Sequence, residues 1–124
     1  MIKEKSTILL FVFGILILGL SQGCNKDKLE PVMSVEECDE QVTYDGKVAE
    51  IITNNCSTSG CHDNSGAGGY TFLNYQQVSD NASIILQAIK HESGVVAMPL
   101  GQDQLKQDKI NDVNCWILQG KKEN

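Results

Sequence analysis

The chain has 124 residues, 41% of them apolar, 6% aromatic and 21% charged, with a formal charge of -6 from ten Lys against sixteen Asp and Glu. That length allows one small domain. The acidic balance disfavours nucleic-acid partners, and the lack of any Arg removes the guanidinium fork that grips phosphate bidentately.

Ile8 to Leu20 read ILLFVFGILILGL, preceded by Lys3 and Lys5 and followed by Ser21, Gln22, Gly23 and Cys24. As a helix this run reaches about 20 Å, short of a hydrocarbon core of about 30 Å. A charged start, a short apolar middle and a small-residue end predict an export signal rather than a membrane span. Leu20-Ser21-Gln22-Gly23-Cys24 resembles the lipobox of bacterial lipoproteins, although Ser21 stands where the box usually has Leu. The resemblance implies removal of residues 1–23 and acylation of Cys24; the alternative is an ordinary secretory signal with a Cys nearby. The polar, Pro-interrupted segment NKDKLEPVM from Asn25 suits a tether to a membrane surface.

Cleavage there would leave 101 residues and a charge of -7, eight Lys against fifteen acids. A folded part of under about 90 residues buries only about 60% of the surface its unfolded chain exposes, so a disulfide, metal or cofactor is expected to complete the interior. Residues 24–41 read as anchored tether and acidic lead-in with Cys38, 42–120 as the domain, and 121–124 as a C-terminal tail.

Within the domain, Val48, Ile51 and Ile52 recur at helical spacing between Asp45 and Asn54, with Lys47 and Glu50 turned outward. The run from Asn54 through Cys56, Cys61 and His62 to Gly69 is a loop by composition. Tyr70, Phe72 and Tyr75 follow, and then a helix from an N-cap at Ser79 or Asp80 to Lys90 that faces Ile85, Leu86 and Ile89 inward. Residues 92–101 form a second loop. The last helix, Asp103 to Gln119, carries Leu105, Ile110, Val113, Trp116 and Ile117 near one stripe, and Gly120 stands at the C-terminal cap position. The predicted fold is mostly α, three or more helices with loops long enough to wrap something.

Cys56-x4-Cys61-His62 directly after a helix, in a chain expected to be exported, carries the chemistry. Two thiols can add to the two vinyl groups of a haem while the adjacent imidazole turns back to the iron. The usual spacer is two residues; here the small residues Ser57 to Gly60 can bulge outward. Three other readings stand beside this one. Cys56 and Cys61 could pair as a small disulfide, they could join His62 and one of His91, Cys38 or Cys115 around zinc, or one could be a nucleophile with His62 as base.

Met98-Pro99, with Met98 36 residues after His62, adds a thioether of the kind that fills the second axial position of a haem iron. The helix, the Cys-x4-Cys-His turn, the Met-Pro loop and a C-terminal helix bearing Trp116 together resemble class I monohaem cytochromes c. More narrowly they are similar to small lipoprotein cytochrome domains of Gram-negative bacteria, over about Val42 to Gly120. The resemblance implies one covalent haem c on Cys56 and Cys61, iron held by His62 and by Met98, with His91 or an open position as alternatives to Met98. It also implies that the first and last helices cross closely, so that Cys38 pairs with Cys115. Ile51, Ile52, Tyr70, Phe72, Ile85, Ile89 and Trp116 would then wall the porphyrin, with a propionate as one partner for the Trp116 indole N–H.

The function so implied is one-electron transfer to redox partner proteins at a bacterial membrane, on the periplasmic side, with no small-molecule substrate and no enzymatic turnover. The acidic surface favours a partner with a basic or mixed surface and an association that weakens as salt rises. The competing functions are a five-coordinate or bis-His haem sensor, and a haem-free, disulfide-stapled lipoprotein that binds another protein.

Overall fold

A computed structural model of the chain describes residues 33–124; the expected signal segment, the expected acylation site Cys24 and most of the expected tether lie outside the described residues. Those residues are helical, with no strand among them and no helix long and apolar enough to cross a membrane. Together they form one folded unit, Met33–Asn124.

A one-turn 3-10 helix, Val35–Glu37, precedes Cys38. Thr43 then opens the first helical segment, its hydroxyl accepting from Gly46 N at 3.1 Å. This segment starts as a π-helical turn, Tyr44–Val48, and continues as α1, Ala49–Asn55, so that Val48, Ile51 and Ile52 are buried as their spacing predicts.

The expected middle helix is two helices, α2 (Tyr75–Asp80) and α3 (Ala82–Ile89). Its start lies a turn earlier than Ser79 or Asp80, because Asn74 takes the cap and accepts from Gln77 N at 3.0 Å. Ser79 is instead a buried residue within α2. Asn81 interrupts the helix at φ -108 and ψ 9, yet Tyr75, Val78, Ala82, Ile85 and Ile89 keep the 3-4-3-4 spacing of one apolar stripe across the break.

The last helix, α4, runs Gln107–Leu118 rather than from Asp103. Lys106 is extended (ψ 143) and no side chain caps the helix, so Leu105 packs against the core from outside it. At the other end Gly120 adopts φ +91, with Gly120 N donating to Ile117 O and Lys121 N to Trp116 O. This is a Schellman closure, and it requires a residue that accepts positive φ.

The N-terminal segment is bound to α4 at several points. Cys38 and Cys115 form a disulfide with Cα atoms 5.8 Å apart, joining residues 77 positions distant. The Gln119 amide accepts from Val42 N and donates to Glu40 O, both at 2.8 Å. Lys47 pairs with Glu40 and, at 3.2 Å, with Asp112.

Trp116, fully buried, meets Tyr44 and Tyr75 with ring centroids 6.2 and 6.4 Å away. Its indole N–H donates to Lys122 O at 2.8 Å, so the partner is the C-terminal backbone and not a propionate. Tyr44 N and Asp45 N donate to Lys122 O and Glu123 O, both at 2.9 Å, so residues 122 and 123 accept from free N–H groups at the start of the first helical segment. The tail is therefore part of the fold.

Candidate functional site

The loop after α1 folds back on itself through main-chain bonds. His62 N donates to Cys56 O, Cys61 N to Thr58 O, Gly68 N to Cys61 O and Phe72 N to His62 O, all between 3.0 and 3.1 Å. Ser57 Oγ closes the loop by donating to Phe72 O at 2.7 Å. At the exposed turn Asp63 accepts from Ser65 and from Gly60 N. These bonds, those to the Ser65 hydroxyl and N–H first, hold its carboxyl below the usual range.

His62 is buried. Its Nδ1 lies 3.1 Å from Tyr70 O, an acceptor, which makes Nδ1 the protonated nitrogen and leaves Nε2 with a free lone pair. Phe72 packs on one side of the ring, centroid to centroid 4.7 Å. Gly68 crosses so close that a Cβ there would stand 2.6 Å from His62 Cε1 and 2.7 Å from Nδ1. Hydrogen bond, aromatic face and bare backbone together fix the orientation of the imidazole.

Beside it lies a cavity of about 550 Å³. Cys56, Cys61 and His62 line it from the loop, Tyr70 and Phe72 from the segment that follows, Ile85 and Ile89 from α3, and Met98 from the second loop. No carboxylate or ammonium is among the lining residues. An adjoining cleft is larger, about 780 Å³, but shallow and polar, reaching Lys106 and Lys109. The first cavity is the better site, because the residues singled out by their chemistry meet there.

Cys56 and Cys61 are both free thiols, not a disulfide. Burial, with a smaller contribution from Cys61, pushes the Cys56 thiol up to about 11. It is a neutral thiol at physiological pH and a poor candidate nucleophile. Cys38 and Cys115 are consumed by their own disulfide, and no group of three or more His, Cys, Asp or Glu converges among the described residues. The zinc reading therefore lacks a ligand set.

Of the expected apolar wall, Tyr70, Phe72, Ile85 and Ile89 reach the cavity, whereas Ile51, Ile52 and Trp116 do not. Those three belong to the core in which the first helical segment meets α4. His91 is also outside the lining; its Nε2 lies 3.1 Å from Met98 O. Sequence spacing missed Ile84, Ala88, Val95, Leu105 and Gly68. One signal pointed to most of them: residues 64–102 hold three charged side chains, Asp80, Lys90 and Glu92, where the average of 21% would place about eight.

Compared with protein-family models, curated proteins and solved structures, the chain matches none.

Proposed function

We propose that the chain is a membrane-anchored c-type cytochrome, a one-electron carrier with a single covalently attached haem and a cytochrome c-like fold around it. One observation carries this reading. Two free thiols, an imidazole with one nitrogen unengaged and a thioether from 36 residues further on line the same uncharged cavity. Its volume of about 550 Å³ lies in the range of about 300–1,000 Å³ typical of cofactor sites.

The residues suit the group in kind as well as in place. Cys56 and Cys61 offer the sulfurs for two thioether links, and each is unpaired. His62 offers Nε2, its other nitrogen being committed to Tyr70 O. Met98 offers a soft sulfur ligand of the kind that raises a haem potential. A bound haem supplies a one-electron couple, and filling both axial positions from the protein denies substrate a place on the metal. The largely apolar lining favours the less charged, reduced state.

Export and acylation at Cys24 would hold the carrier at a membrane, raising its effective concentration towards a membrane-bound redox partner. The acidic body steers a basic or mixed partner over distance, so association weakens as salt rises.

The test is to express the chain in a host able to attach haem to thiols, then denature and weigh it. Pigment and a mass increment that survive denaturation, and are lost in Cys56→Ala with Cys61→Ala, are the expected result. Met98→Ala should abolish the weak far-red ferric band of thioether ligation. A colourless chain of unmodified mass would refute the reading in favour of a haem-free scaffold. A high-spin ferrous spectrum that shifts with carbon monoxide would replace the carrier with a sensor.

A further inference from the structure

The strap between α3 and the approach to α4, residues 93–101, hangs from one residue. Among the described residues, both hydrogen bonds that tie it to the rest of the fold belong to Met98. Its N–H donates to Ala88 O at 3.0 Å, and its carbonyl oxygen lies 3.1 Å from His91 Nε2. The other bond touching the strap, Gln102 N to Pro99 O, is local. A carbonyl oxygen can only accept, so Nε2 is the nitrogen of His91 that carries hydrogen.

His91 reaches this position in an unusual way. It follows the C-terminal cap of α3 at φ 52, a left-handed conformation uncommon outside Gly, in which Asn, Asp and His are the most frequent side chains. Its own N–H donates to Ala88 O at 3.1 Å, the same carbonyl that holds Met98 N. One turn at the end of α3 thus grips both polar groups of a single residue, the one whose thioether lines the cavity.

Resting on the reading of Met98 as distal ligand, we propose that His91 is a positioning residue: its Nε2–H clamps the Met98 carbonyl and keeps the thioether in the cavity. His91 then contributes to ligation by restraining the Met98 backbone and does not itself bind the metal. Fixing the peptide groups on both sides of Met98 restricts its φ and ψ, so a strap with no other hydrogen bond to the fold among the described residues presents its side chain in one place.

The probe is exogenous imidazole added to the ferric, haem-loaded protein. It binds only when the thioether is off, so its apparent affinity scales with that fraction. His91→Ala should raise imidazole affinity about fivefold, equivalent to about 1 kcal/mol, and weaken the far-red band. His91→Gln, which carries an amide N–H to a similar position, should restore most of both. Met98→Ala sets the scale, with a larger rise and no band at all.

If Met98→Ala changes neither readout, Met98 is not the ligand, and the proposal falls with that reading. If Met98→Ala responds and His91→Ala stays within about twofold of the parent, the clamp alone is overturned. A His91→Ala protein that loses its low-spin spectrum would make His91 a ligand, which also overturns it. Should His91→Ala fail to fold, nitrogen NMR on the parent decides: a slowly exchanging Nε2 proton coupled to the Met98 carbonyl is expected, and a bare Nε2 refutes the clamp.

Discussion

Gly68→Ala is the sharpest probe of how the site is built. The new Cβ would lie 2.6 Å from His62 Cε1, 2.7 Å from Nδ1 and 3.2 Å from Nε2, against a carbon contact optimum of about 3.5 Å or more. The ring or the loop must therefore move by about 1 Å. Neither moves freely, because Phe72 packs on the imidazole and Nδ1–H is bonded to Tyr70 O. Overpacking of this kind costs about 1–3 kcal/mol, and a weakened hydrogen bond adds about 1. Loss of glycine freedom in the unfolded chain returns about 0.4–1 kcal/mol. The expected net destabilisation is about 2 kcal/mol, or about 8–16 °C in melting temperature for a domain of this size. Urea and thermal unfolding of the haem-free chain, with NMR of the His62 ring, measure both effects. Gly120→Ala is the control: with φ +91 and no atom within 4 Å of its Cβ, it should cost about 1–2 kcal/mol without disturbing His62. A Gly68→Ala protein as stable as its parent, or one that loses stability with unchanged His62 resonances, would refute the reasoning.

Three further outcomes are expected. Replacing both Cys38 and Cys115 by Ser should cost roughly 4 kcal/mol on the chain-entropy estimate for a separation of 77 residues, read as a lower urea midpoint; no change would mean that the unfolded chain is already constrained. Deleting residues 122–124 removes the acceptors of Trp116 Nε1, Tyr44 N and Asp45 N and should cost about 2–4 kcal/mol, most of it from the buried indole N–H; an unshifted midpoint would contradict the role of the tail as part of the fold. The Cys56 thiol ionises near its ordinary 9.0 in the unfolded chain and at about 11 in the fold, so the unfolded state loses its proton first. Stability of the haem-free protein should therefore be intact below pH 9 and fall by about 2 kcal/mol between pH 9 and 11; Cys56→Ala should remove that component, and an unchanged alkaline limb would count against it.

Much of the local architecture was legible because it depends on neighbours in the chain. The 3.6-residue recurrence of Val48, Ile51 and Ile52 marked the first helical segment, and the glycine at 120 marked the end of the last helix. The candidate residues Cys56, Cys61 and His62 were visible as a spacing, and Met98 as a thioether beside a proline. The pairing of Cys38 with Cys115 came from family resemblance, and the structure contains it. The helix starts were less legible: Asn74 and Ser79 are comparable caps by residue type, and only packing of the whole stripe from Tyr75 to Ile89 selects the earlier one.

By itself the chain sequence determined which atoms are on offer: five cysteine sulfurs, two imidazoles, three thioethers and the apolar stripes that make helices. Tertiary structure alone decided how they are used. It placed Trp116 against the backbone of Lys122, kept Ile51 and Ile52 in the core, brought Gly68 under the His62 ring and set His91 on the Met98 carbonyl. Spacing reports the periodicity of one element, whereas each of these contacts arises from how separate segments pack, and that geometry exists only once the chain has closed on itself.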